Sequence, residues 1–115
     1  MYIRIVILVL LIALIYTFSG PNLISASEAQ SMIETGKINA VVDVRTNKEY
    51  KAGHYPGSIN IPVGEINETT TSSLPISSIL VYCNTGQRAR YASRKLEKLG
   101  FTRVYYIAGP YTTLM

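Results

Sequence analysis

The stretch Ile79-Leu80-Val81-Tyr82-Cys83-Asn84-Thr85-Gly86-Gln87-Arg88-Ala89-Arg90-Tyr91-Ala92 runs from an apolar segment through a cysteine and a short polar turn into a helical pattern. From Gln87 to Leu99, Ala89, Ala92, Leu96 and Leu99 recur at helical spacing, while Arg90, Arg94, Lys95 and Lys98 fall elsewhere. That spacing predicts an amphipathic helix capped by Gly100. The apolar run Ile79 to Tyr82 predicts a buried strand, so Cys83 stands where strand gives way to helix. In an α/β sheet, sites gather beyond the carboxyl ends of strands, and a turn into a helix directs successive backbone N–H groups at one point. Those donors and the helix dipole favour an anion. The first anion available is the thiolate of Cys83 itself, the form that such helix starts favour in cysteines generally. Gly86 suits a turn that needs positive φ or a close backbone approach. The alternative is a buried thiol packed as a small hydrophobe.

Upstream, helix and strand signals alternate. Ser27 with Gln30 predicts a capping box and a helix ending near Thr35, with Gly36 as its cap. Ala40 to Val44 reads as a buried strand, and Thr46 with Glu49 as a second capping box opening a short helix stopped at Gly53. Ser58 to Ile61 predicts a brief strand, Gly64 to Ser73 a polar loop, and Val104 to Ile107 a last strand. Strands alternating with helices of about ten residues imply βαβ units and a mostly parallel sheet covered on both faces.

The chain has 115 residues, 48% of them hydrophobic and 16% charged, with a net charge of +4. One domain of this size buries roughly two-thirds of its unfolded surface and needs neither metal nor disulfide to hold a core. A single cysteine and a single histidine, His54, exclude an internal disulfide and Cys/His zinc modules, so no metal or cofactor is expected. From Leu80 to Met115, Arg88, Arg90, Arg94, Lys95, Lys98 and Arg103 stand against Glu97 alone, whereas Gly20 to Ile79 is net acidic. Positive charge gathered beside one thiol favours a small anionic substrate over nucleic acid.

The apolar excess lies at the start. Met1 to Phe18 carries one charged side chain, Arg4, and Ile5 to Ile15 is uninterrupted apolar sequence. At ~1.5 Å per residue, this segment as a helix spans about 27 Å, close to a bilayer's hydrocarbon thickness. Residues 1–20 therefore read as a signal peptide or an uncleaved signal anchor. The anchor is preferred because cleavage after Gly20 or Ala26 would leave Phe18 or Ile24 at the minus-three position. Arg4 before the segment and Glu28 as the first charge after it place the following domain on the non-cytoplasmic side, exported or membrane-anchored through residues 1–18. Ser19 to Asn22 reads as a breaker, which leaves Leu23 to Met115 as the working domain.

Three motifs in order make this domain resemble the rhodanese family. They are Asp43-Val44-Arg45 followed by Glu49 and Tyr50, Gly53 to Pro62 (GHYPGSINIP), and Cys83 to Ala89 (CNTGQRA). Short exported single-domain members of the periplasmic phage-shock type also pair an export segment with a VYCN loop. The resemblance implies a three-layer sandwich with a five-stranded, mostly parallel sheet. It also implies a sulfurtransferase that moves sulfane sulfur from thiosulfate or a similar donor to a thiol or cyanide through a Cys83 persulfide. Asn84, Thr85, Gly86, Gln87 and Arg88 then form the substrate-binding loop. Four residues between Cys83 and Arg88 match the family's sulfurtransferases, where related phosphatases and arsenate reductases enclose five. Asp43 and Arg45 are expected as supporting residues that order this loop, or as a structural ion pair. His54 is expected to bond the backbone of its turn. Near the end, Gly109-Pro110-Tyr111-Thr112-Thr113-Leu114 departs from the family's glycine pair and Y-x-x-W, so a terminal helix on the sheet is expected to be missing. Two other functions stay open: a non-catalytic rhodanese-like module docking through its basic face, and a thiol redox protein. The sequon at Asn67 is read as chance.

Overall fold

The computed structural model describes residues 2–8 and 22–115. Residues 2–8 are helical and exposed, whereas most of the predicted hydrophobic helix and the cleavage position at Gly20 lie outside the described residues; Ala26, the other, opens the first helix of the domain. Among the described residues no helix is long and apolar enough to cross a membrane.

The domain contains β1 (Asn22–Leu23), α1 (Ala26–Glu34), β2 (Ala40–Asp43), α2 (Asn47–Ala52), β3 (Ile59–Asn60), β4 (Ser77–Tyr82), α3 (Gln87–Lys98) and β5 (Thr102–Tyr106). The strands form one sheet in the order β1-β5-β4-β2-β3, and every pairing is parallel. β4 is central, with Val42 opposite Val81 on one side and Tyr106 opposite Val81 on the other. Such strands are covered on both faces, and for that reason they read as apolar runs without alternation. Ile79, Val81 and Cys83 join Val42, Val44, Val104 and the α3 residues Ala89, Ala92 and Leu96 in one core layer. Leu80 and Tyr82 join Val41, Ile107, Ala29 of α1 and Leu114 in the other. The period-two alternation of strand side chains produces this division. Full burial of residues such as Ile79 and Leu80 contributes ~1.5–3 kcal/mol each.

Several expectations at the ends of elements are corrected. The first helix is capped by Ser25, whose Oγ accepts from Glu28 N at 3.0 Å, and not by Ser27, which lies inside it. Gln30 does not close a capping box; its side-chain amide donates to Thr113 O at 2.8 Å. The cap moved because Ser25 has the extended backbone a cap requires. Residues Asn22 and Leu23, which straddle the expected boundary between breaker and domain, form β1 against Tyr105 and Tyr106. Two residues are too few to carry a periodic signal. The expected missing terminal element is replaced by a single 3₁₀ turn, Tyr111–Leu114, which buries Leu114 with Ala29. The polar loop from Gly64 to Ser73 starts within a 3₁₀ turn, Val63–Glu65, and sends Ile66 into the core. By contrast, the Thr46–Glu49 capping box forms in full, with both reciprocal bonds present.

Candidate active site at the start of helix α3

The crossover from β2 leads through α2 to the β3 side of the sheet, and that from β4 leads through α3 to the β5 side. The carboxyl ends of β2 and β4 therefore flank a switch point, the place where open α/β sheets leave a crevice for a ligand. Cys83 follows β4 there, and Asp43, Arg45 and Glu49 follow or end β2.

Helix α3 starts without the usual side-chain cap. Its N-cap is Gly86, and its first turn contains no acidic residue. The sulfur takes the cap's place: Cys83 Sγ accepts from Gly86 N at 3.1 Å and from Ala89 N at 3.4 Å. Orphan N–H groups of a helix start thus converge on the thiol, which is fully buried beneath the loop. Gly86 has φ 99°, and a Cβ there would lie 2.9 Å from Ala108 Cα. Both the left-handed backbone and the close approach require glycine. Asn84, Thr85 and Gln87 are exposed, and a shallow cleft of about 200 Å3 opens beside the loop between Thr85, Gly86, Gln87, Arg90 and Ala108.

Arg88 is not free to meet an anion. Its Nη1 and Nη2 donate to Glu49 Oε1 and Oε2 at 2.7 and 3.1 Å, and Asn84 Nδ2 donates to Glu49 Oε2 at 2.9 Å. Glu49 Oε1 also accepts from Thr46 N and Oγ1, both at 3.1 Å. The Arg88 guanidinium, with the Thr46 amide, holds the Glu49 carboxyl well below the usual carboxylate range. Glu49 in turn raises Arg88 above its ordinary value. The sequence identified Glu49 only as a capping and motif residue. Its place in the site was nonetheless implied, because a capping-box glutamate folds back over the start of its helix, here beside the end of β2.

Asp43 and Arg45 lie below the crevice rather than in the loop. Arg45 Nη2 donates to Asp43 Oδ2 at 2.6 Å and to Gly53 O at 2.7 Å, while Tyr82 Oη donates to the same Asp43 oxygen at 2.6 Å. Tyr82 Oη accepts from Tyr55 N at 3.1 Å. Burial first, and then the Asp43 bond, raises the Tyr82 hydroxyl above its ordinary value, so it remains a donor. The guanidinium also lies 5.2 Å from the Tyr111 ring centroid, and a Cβ on Gly53 would meet Tyr111 Oη at 2.6 Å. The pair is a structural clamp joining β2, β4, the Gly53–Ser58 turn and the terminal 3₁₀ turn. Its side-chain bonds do not reach the Cys83 loop directly. His54 pairs through Nδ1 with Tyr50 O at 2.8 Å and stacks on the Tyr50 ring, so it keeps its turn as expected. Among the described residues, no group of His, Cys, Asp and Glu side chains is placed to hold a metal.

A central parallel strand ending in a thiol, capped by the amides of the next helix, defines a class of α/β domain with a cysteine at a strand-to-helix turn. Within that class the chain belongs to the rhodanese family: the rhodanese-like domain model matches residues 25–113. The putative sulfur carrier protein YrkF of Bacillus subtilis is 30% identical over 81 residues, covering 70% of this chain and 44% of the relative. The thiosulfate sulfurtransferase PspE of Escherichia coli is 34% identical over 70 residues, covering 59% of this chain and 67% of that protein. Among solved structures, the human single-domain sulfurtransferase TSTD1 superposes with a TM-score of 0.67 at 27% identity, covering 82% of this chain and 95% of that one. The chain thus spans less than half of YrkF and about two-thirds of PspE.

Proposed function

We propose that this chain is a sulfurtransferase in which Cys83 carries the transferred sulfur. The observation that carries the proposal is the convergence of Gly86 N and Ala89 N on Cys83 Sγ, an arrangement that stabilises negative charge on the sulfur. The thiolate attacks the outer sulfur of a sulfane donor. With thiosulfate, the donor's S–S bond breaks, sulfite leaves with the bonding electrons, and Cys83 becomes a persulfide. A thiolate or cyanide acceptor then attacks the outer sulfur and returns the Cys83 thiolate. This is covalent catalysis in two half-reactions, and it requires no metal or organic cofactor. The kinship with PspE supports the chemistry.

Mass spectrometry after incubation with a sulfane donor should show a gain of one sulfur atom on Cys83. Cys83→Ser should show no gain and no transfer to cyanide; transfer at the wild-type rate would end the proposal. The non-cytoplasmic placement rests on the sequence alone, on the apolar run of residues 1–18 with Arg4 before it and Glu28 as the first charge after it. Protection of the domain from protease added to the cytoplasmic side of membranes is the corresponding measurement.

A further inference from the structure

The only guanidinium in the Cys83–Arg88 loop is already engaged by a carboxylate. Glu49 presents both oxygens to Arg88 in the fork geometry that a sulfonate or sulfate would use. The pair lies at the rim, with 35% of the Arg88 side chain and 31% of the Glu49 side chain exposed, so a ligand arriving from solvent meets the carboxylate with the guanidinium. Asn84, one of the two loop side chains with an amide donor, is bound to the same carboxylate, while that of Gln87 is exposed. An oxyanionic donor that is to be held by Arg88 and Asn84 has to displace Glu49 from both and approach its negative charge. A donor without an oxyanion does neither.

We propose that Glu49 is a specificity-determining residue: it occupies the anion-binding fork of Arg88 and sets the site against oxyanionic sulfur donors, in favour of hydropersulfides. This rests on the sulfur-transfer function of Cys83. With a hydropersulfide, R–S–S–H, the Cys83 thiolate attacks the outer sulfur and the S–S bond breaks. The thiolate R–S⁻ leaves with the electron pair, and the proton stays with the enzyme persulfide. No oxidant or reductant is consumed.

Glu49→Gln removes the charge and keeps an oxygen that accepts from Thr46, so the helix cap survives. Sodium sulfate titrated at constant ionic strength against the full chain, followed by the amide resonances of Gly86 and Arg88, reads the anion site without catalysis. The variant should bind sulfate about fivefold more tightly, the upper range for releasing one exposed ion pair. Single-turnover loading by thiosulfate, followed by mass, should accelerate by a similar factor, while loading by an alkyl hydropersulfide stays within about twofold. Unchanged or weaker sulfate binding in the variant overturns the proposal. So does a parallel fall in both loading rates, which would make Glu49 a positioning residue for the loop. A wild-type chain that gains sulfur from neither donor overturns the sulfurtransferase function instead, and the sulfate titration still decides the part played by Glu49.

Discussion

Two arginine–carboxylate pairs lie near the same end of the sheet and do different work. Arg45 and Asp43 are buried, with 6% and 0% of their side chains exposed, whereas Arg88 and Glu49 are each about one-third exposed. In the buried pair the contacts are internal, to Gly53, Tyr82, Tyr111 and the backbone of Arg45 itself. The rim pair joins a helix cap to the thiol loop, and water reaches both partners. Coulomb attraction is stronger in the interior, but so is the cost of leaving one partner alone. The same chemical pair is therefore a fixed clamp in one place and an exchangeable latch in the other.

The largest effect should come from breaking the clamp. Asp43→Ala leaves a buried guanidinium without its carboxylate, and urea denaturation should show a loss of ~3–5 kcal/mol. A loss below about 1 kcal/mol would put the clamp on the same footing as the rim pair. Next is Gly86→Ala, which forces a side chain onto a left-handed backbone and against Ala108. It should cost ~1–3 kcal/mol of stability and a larger share of sulfur loading, because the amides aimed at Cys83 shift with it. Stability loss with loading intact would show that loop geometry and thiol chemistry are separable.

The smallest effect is expected from Glu49→Gln, within ~1 kcal/mol at neutral pH. Its sign with pH is fixed by the depressed carboxyl of Glu49. A group held below its ordinary value of 4.5 contributes fully above that value and loses its contribution as pH falls toward the depressed one. Wild type and variant should therefore differ most above 4.5 and converge in stronger acid. A difference that grows on acidification would contradict the pairing.

Much of the fold was legible because its signals are local. The apolar runs at Ala40 to Val44 and Ile79 to Tyr82, the capping box at Thr46 and Glu49, and Gly86 all stand where their residue types require. What failed was also local in extent but not in cause. The two-residue strand at Asn22 exists because Tyr105 and Tyr106 offer it an edge, and the turn at Tyr111–Leu114 persists because α1 receives Leu114. Neither partner is near in sequence.

The sequence by itself determined the alternation of strands and helices, the position of Cys83 at a strand-to-helix turn and the family motifs around it. It also gathered positive charge near that thiol. Tertiary structure decided which of that charge is available. Arg88 and Glu49 are 39 residues apart, and only the order of strands, with β2 beside β4, brings the starts of their two crossovers together. Hydrogen bonding of that kind depends on distance in space, which residue types and spacing along the chain do not specify.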